Sequence, residues 1–70
     1  MIKSASIVKW VNGENILTVD IDGVRYEYET SPFIKQRFAT MLLALHLSPN
    51  TCVNFLKKNS TLIRSYSLIK

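Results

Sequence analysis

One cysteine (Cys52), two glycines and two prolines are all that this chain has of the residues that usually staple or punctuate a small protein. A single thiol excludes an internal disulfide, and no spacing of cysteine and histidine supplies the three or four ligands of a zinc site. At 70 residues, a chain of this size buries only about 60% of the surface that its unfolded form exposes. Domains so small lean on disulfides, metals or a second protomer. Of these, oligomerisation is the staple left open.

Long apolar runs are missing as well. The most apolar stretch, Met41 to Leu47, is interrupted by His46 and falls far short of the ~20 residues of a membrane span. Residues 1–6 hold no apolar run of signal-peptide length. A lone thiol without an export signal predicts a cytoplasmic protein in a reducing compartment, with no membrane association. No Gly-rich phosphate loop occurs.

Negative charge is absent from more than half of the chain. All five acids (Glu14, Asp20, Asp22, Glu27, Glu29) lie in residues 1–30, where Lys3, Lys9 and Arg25 leave a local net of −2. From residue 31 onward stand Lys35, Arg37, Lys57, Lys58, Arg64 and Lys70 with no acid. A one-sided basic surface suits a phosphate backbone or an acidic protein, and it also serves plain solubility.

What is present reads as a single α+β domain. Asp22-Gly23 separates two alternating segments, Leu17–Ile21 and Val24–Tyr28, and Asp-Gly is a favoured type I′ hairpin turn. The turn predicts that Ile21 faces Val24, Asp20 faces Arg25, Val19 faces Tyr26, Thr18 faces Glu27 and Leu17 faces Tyr28. One face then collects Leu17, Val19, Ile21, Val24, Tyr26 and Tyr28, and the other takes the polar residues. A preceding strand over residues 6–11 joins through Asn12-Gly13-Glu14-Asn15. A loop of even length puts Val8 and Trp10 on the apolar face, whereas an odd one substitutes Ile7 and Val11. The size of the indole favours the even loop.

Ser31-Pro32 and Ser48-Pro49 are helix starts: a hydroxyl to cap free amides, then proline where it loses no hydrogen bond. In the first helix Ile34, Phe38, Met41, Leu42 and Leu45 form a stripe at helical spacing. Leu43 and Leu47 project elsewhere and need a second helix or another chain to cover them. In the second, roughly Pro49 to Lys58, Cys52, Phe55 and Leu56 share one side, and Lys57 and Lys58 suit the negative end of the helix dipole. Residues 60–70 alternate, and strand, helix extension and partner-dependent arm all remain open. The expected fold is a three-stranded antiparallel sheet, with a fourth C-terminal strand among these options, packed on one main helix plus a short second one.

The order of landmarks in residues 4–55 resembles the KTSC domain, a short module found at the C-terminus of some lysyl-tRNA synthetases and as free-standing bacterial and phage proteins. The likeness rests on Ser4 or Ser6 with Ile7, the Leu17-x-Val19 strand, Gly23, the central Tyr26-Glu27-Tyr28 and Pro32. Asn54-Phe55 echoes that family's aromatic-Asn element in reversed order. The resemblance implies a compact sheet-plus-helix module with RNA binding suggested and no enzymatic activity.

Sheet aromatics can stack on bases, yet the hairpin register turns Tyr26 and Tyr28 toward the helix stripe and favours core packing. Trp10 reads the same way. His46 and Cys52 are the nucleophile–base pair on offer, but nothing in the sequence orients the imidazole, so no catalytic residue is assigned. Cys52 reads as a small core side chain and His46 as a residue at the end of the first helix. The acids neither pair for acid–base work nor converge as metal ligands, and no cofactor is expected. The candidate polyanion-binding residues are Lys57, Lys58 and Arg64 as a cluster, with Lys35 and Arg37 on the first helix. Lys35 and Arg37 point about 160° apart around the helix and cannot form one patch. Leu43, Leu47, Tyr66 and Leu68 are the candidate interface. Two functions follow: a module engaging RNA or another polyanion, or a protein–protein module such as a phage-type inhibitor of a host protein, with an acidic partner or as a homodimer.

Overall fold

Asp22 and Gly23 have φ values of 48° and 83°, the left-handed pair that a type I′ turn requires. Around this bend the computed structural model, which describes residues 1–68, joins β2 (Ile16–Ile21) to β3 (Val24–Glu29). Their register runs from Ile21 opposite Val24 to Leu17 opposite Tyr28, as the turn predicts. β1 (Ala5–Lys9) pairs with β2 and β4 (Thr61–Ser67) with β3, all antiparallel, so the sheet order is β1-β2-β3-β4. Between β3 and β4 in the chain come α1 (Pro32–Leu43) and α2 (Pro49–Lys58). The α+β class and the element order agree with the sequence reading, and the last segment proves to be a strand. The expectation for Ile69 and Lys70 lies outside the described residues.

Both helices begin where serine and proline announce them. The Ile34 amide donates to Ser31 Oγ and the Thr51 amide to Ser48 Oγ, each at 3.2 Å, with Pro32 and Pro49 next in line. The helices cover the apolar side of the sheet. The core is Leu17, Val19, Ile21 and Tyr28 from the sheet, Phe38 from α1, and Cys52, Val53 and Leu56 from α2. Tyr26 is half-buried against it, and its ring stacks on Tyr28 with centroids 6.1 Å apart. Both tyrosines therefore serve packing, as the register implied, and burial pushes the Tyr28 phenol pKa up.

Two bulges correct the parity argument. Ile7 lies opposite Val19 and Lys9 opposite Thr18, so Val8 is the extra residue. Ile7 packs on the core, while Val8 turns to the outer face and stays exposed. The even-loop expectation for Val8 is thus wrong, because a bulge lets one strand change parity midway, and Trp10 lies beyond the end of β1, exposed rather than in the core. At the other edge Leu62 lies opposite Tyr28 but Arg64 lies opposite Glu27. Ile63 is extra, and Leu62 parts from the Arg64–Tyr66 face that simple alternation would share with it.

The α1 stripe is also shorter than the spacing suggested. The helix ends at Leu43, and Ala44 is extended with ψ 115°. Leu45 is therefore fully exposed, and His46 sits in the turn rather than in the helix. The chain must reverse into α2 within a few residues, and that turn carries Leu47, not Leu45, back to the core.

Asp22 does more than bend the hairpin. Its carboxylate accepts the Ser4 amide at 2.8 Å and the Lys3 amide at 3.0 Å, holding the start of β1. The Ser4 amide chiefly, with Lys3, holds its pKa below the ordinary carboxylate value. A depressed folded-state pKa contributes stability that is present above the unfolded value and lost as pH falls through the folded one. Urea midpoints should therefore drop on acidification below about pH 4, and less steeply in Asp22→Asn, which tolerates the same φ. Parallel curves for the two proteins would contradict this role.

Candidate functional site

The cations that the sequence nominated do not gather. Lys35 is 1% exposed. Its Nζ donates to the carbonyls of Glu14 at 2.7 Å, Val11 at 3.1 Å and Ile16 at 3.4 Å, and lies 5.0 Å from the centre of the Trp10 ring. Three acceptors match the three protons of an ammonium group, and the indole face adds a cation–π contact. Lys35 is consequently a structural anchor that ties α1 to the β1–β2 loop, and no longer a binding candidate. Trp10 completes that anchor, its indole N–H donating to Asn12 Oδ1 at 3.1 Å.

Sequence reasoning missed this although a signal existed. Lys35, Phe38 and Leu42 stand at i, i+3 and i+7, so position 35 borders the apolar stripe. The carbonyls that receive its amino group lie on a loop about twenty residues earlier, where no periodicity could point to them.

Arg64 also leaves the expected cluster. Its register opposite Glu27 sends it to the outer sheet face, where it pairs with Glu27 at 3.4 Å. Lys57 and Lys58 are exposed in the last turn of α2, in the helix layer on the other side of the sheet. The triad Lys57–Lys58–Arg64 is therefore not one patch. Arg37 is exposed on α1.

The outer face is largely self-neutralised. Arg25 grips Asp20 through two bonds of 2.7 and 3.0 Å. That contact lowers the Asp20 pKa and raises that of Arg25. Beside the pair lies an open hollow of about 330 Å³ walled by Val8, Lys9, Ile16, Thr18, Glu27 and Tyr66, among others. Cys52 is buried, and burial pushes its thiol pKa up, away from the thiolate that a nucleophile needs. Among the described residues, no group of three or more His, Cys, Asp or Glu comes together, and no helix is long and apolar enough to cross a membrane.

The rim formed by β4 is open along its whole length. Every residue of this seven-residue edge strand is exposed, Leu62, Ile63 and Tyr66 among them, as is the adjacent Leu68. Asn59 and Ser60 alone separate it from Lys57 and Lys58. Of the expected interface, Leu43, Tyr66 and Leu68 are exposed, whereas Leu47 is taken up by the protein's own core. At the opposite edge, a second hollow lies between β1 and α1. No family model matches the chain, and neither a curated protein nor a solved structure is similar to it.

Proposed function

We propose that this chain is a non-enzymatic docking module that takes an extended, acidic segment of a partner protein as a fifth strand along β4. The observation that supports it is the rim itself: an edge strand exposed over its whole length, carrying Leu62, Ile63 and Tyr66 and flanked by Lys57 and Lys58. Free edges of this length are normally blunted by charge, proline, bulges or a covering element; β4 has one bulge, at Ile63. Here Arg64 is the charged residue on the strand, and it is already paired with Glu27. Strand addition supplies affinity through main-chain hydrogen bonds and specificity through alternate side chains. The adjacent lysines select for carboxylates on the incoming segment. An inhibitor or regulator of another protein fits this description, and the buried free thiol of Cys52 suits a cytoplasmic setting.

A displayed library of extended peptides tests the proposal. Enriched sequences should alternate apolar and acidic residues, and a Lys57→Glu, Lys58→Glu double variant should weaken them by at least about tenfold, about 1.4 kcal/mol. Peptides enriched without acidic content, or indifferent to the double variant, would discredit it.

The second reading is phosphate-backbone binding, in keeping with the KTSC resemblance. Exposed Lys57 and Lys58, with no acidic partner among the described residues, support it. Binding to a single-stranded oligoribonucleotide should then weaken steeply with salt, with a log–log slope of about −0.7 per phosphate neutralised. No binding at low salt removes this reading and leaves the peptide one standing.

A further inference from the structure

The β4 rim has two unlike sides. Arg64 and Tyr66 lie opposite Glu27 and Arg25, and Ser65 lies opposite Tyr26. Tyr26 packs against the core, whereas Tyr66 walls the hollow on the outer face. Ser65 therefore belongs to the helix side, and Arg64 and Tyr66 belong to the outer side. Charge is divided in the same way. On the outer face Arg25 is bound to Asp20 and Arg64 to Glu27, Lys9 shares the hollow with Glu14, and Glu29 is exposed. Acids accompany the cations there. Neither helix contains an acid, and Arg37, Lys57 and Lys58 are exposed on them.

Backbone parity decides which positions of an added strand fall on which side. Ile21 and Val24 flank the two-residue turn as a hydrogen-bonded pair, so Arg25 and Glu27 turn their amides and carbonyls toward β4. Their partners Tyr66 and Arg64 bond inward, which leaves the Ser65 amide and carbonyl facing the open edge. The Leu68 amide, two residues beyond Tyr66, likewise bonds inward, to the Gly23 carbonyl at 3.0 Å. A residue that pairs with Ser65 from outside must carry its side chain on the helix side, and its two neighbours must carry theirs on the outer side.

We infer, on the strand-addition reading above, that the partner segment's alternation has a fixed phase. Its acidic side chains lie on the helix side, at the position opposite Ser65 and those of the same parity, and its apolar side chains lie on the outer side against Tyr66. Lys58 is three residues before Thr61, at most about 11 Å along the chain, so acids on the helix side extend toward the free lysines. Side chains on opposite faces of a strand diverge. An outer acid would point away from those lysines, and charges farther apart than about 8 Å are largely screened at physiological salt. It would also meet Arg64 already held by Glu27. An apolar outer residue instead gains a cross-strand contact with the exposed Tyr66 ring.

The test uses the full chain and a labelled synthetic peptide of alternating valine and glutamate, with binding read by fluorescence anisotropy. Ser65→Lys adds a cation on the helix side and should tighten binding by at least about threefold, the scale of one cross-strand charge pair. Tyr66→Lys puts its cation on the outer side, removes the aromatic contact and should weaken binding by a similar factor. Both positions are exposed, so both variants should still unfold cooperatively. No gain from Ser65→Lys, or an equal or larger gain from Tyr66→Lys, overturns the phase and leaves strand addition standing. A wild-type chain that does not bind the peptide even at millimolar concentration overturns strand addition itself, and the phase with it.

Discussion

Replacing Lys35 with methionine is expected to remove about 3 kcal/mol of stability, although the new side chain is apolar, similar in length and buried in the same place. The ammonium group is held by the carbonyls of Val11, Glu14 and Ile16 and by the Trp10 ring. Methionine cannot donate to any of them; the Val11 carbonyl keeps the Glu14 amide at 3.2 Å, whereas the Glu14 and Ile16 carbonyls lose the Lys35 donor. Each acceptor deprived of its donor costs about 1–3 kcal/mol; two such carbonyls, partly rehydrated at the surface, together with the lost cation–π contact of about 1 kcal/mol, give a sum of about 3 kcal/mol. A domain of this length has roughly 4–10 kcal/mol in hand, and about 3 kcal/mol lowers the melting temperature by on the order of 15 °C. Two local readouts separate this from general loosening. Amide exchange should accelerate first in residues 11–16, and Trp10 emission should shift as its cation leaves. Lys35→Arg should recover only part of the loss, since a planar fork does not fit three converging carbonyls. A melting curve that Lys35→Met leaves unmoved would show the anchor to be incidental.

Phe38→Ala should be at least as damaging, for the opposite reason. Phe38 is fully buried where α1, α2 and the sheet meet, with Leu17, Val19, Val53 and Leu56 in the same cluster. Truncating a buried phenylalanine costs about 3–5 kcal/mol through lost transfer energy and the cavity left behind. That is about half of the roughly 4–10 kcal/mol available to so small a chain, so the variant should melt on the order of 20 °C lower. Phe38→Leu, which keeps most of the volume, should cost about 1–1.5 kcal/mol. Chemical denaturation of the three proteins in parallel decides the matter. A loss below about 1 kcal/mol for alanine would mean that the cluster repacks freely and that the helix layer is not fixed by this residue.

Lys35 and Phe38 are three positions apart on α1, and together they explain how one short helix is placed on the sheet. Phe38 sets its depth, while Lys35 ties its first turns to the loop before β2. The consequence for function is indirect: with Lys35 committed inward and Arg64 paired on the outer face, the basic half of the chain has less free positive charge than its composition implied. This shift moves the proposed function from a polyanion site toward a sheet-edge docking site.

The parts of the molecule legible in the sequence are those specified by neighbours in the chain. Asp22-Gly23 prescribes left-handed backbone for two residues, and the alternation on either side then sets the whole β2–β3 register. Ser31-Pro32 and Ser48-Pro49 start helices through hydroxyl-to-amide bonds that reach only three residues ahead. The location of Tyr26 and Tyr28 on the helix side follows from that register alone.

Tertiary structure decided whatever depended on distant partners. The bulges at Val8 and Ile63 change side-chain parity through pairing with another strand, so no pattern within β1 or β4 could reveal them. Lys35 goes inward because a loop remote in sequence offers carbonyls where the helix arrives. Arg64 finds Glu27, and Leu47 rather than Leu45 returns to the core, for the same kind of reason. Local hydrogen bonding and periodicity are written in adjacent residues; the burial of a charge and the exposure of an edge exist only once separate segments have met.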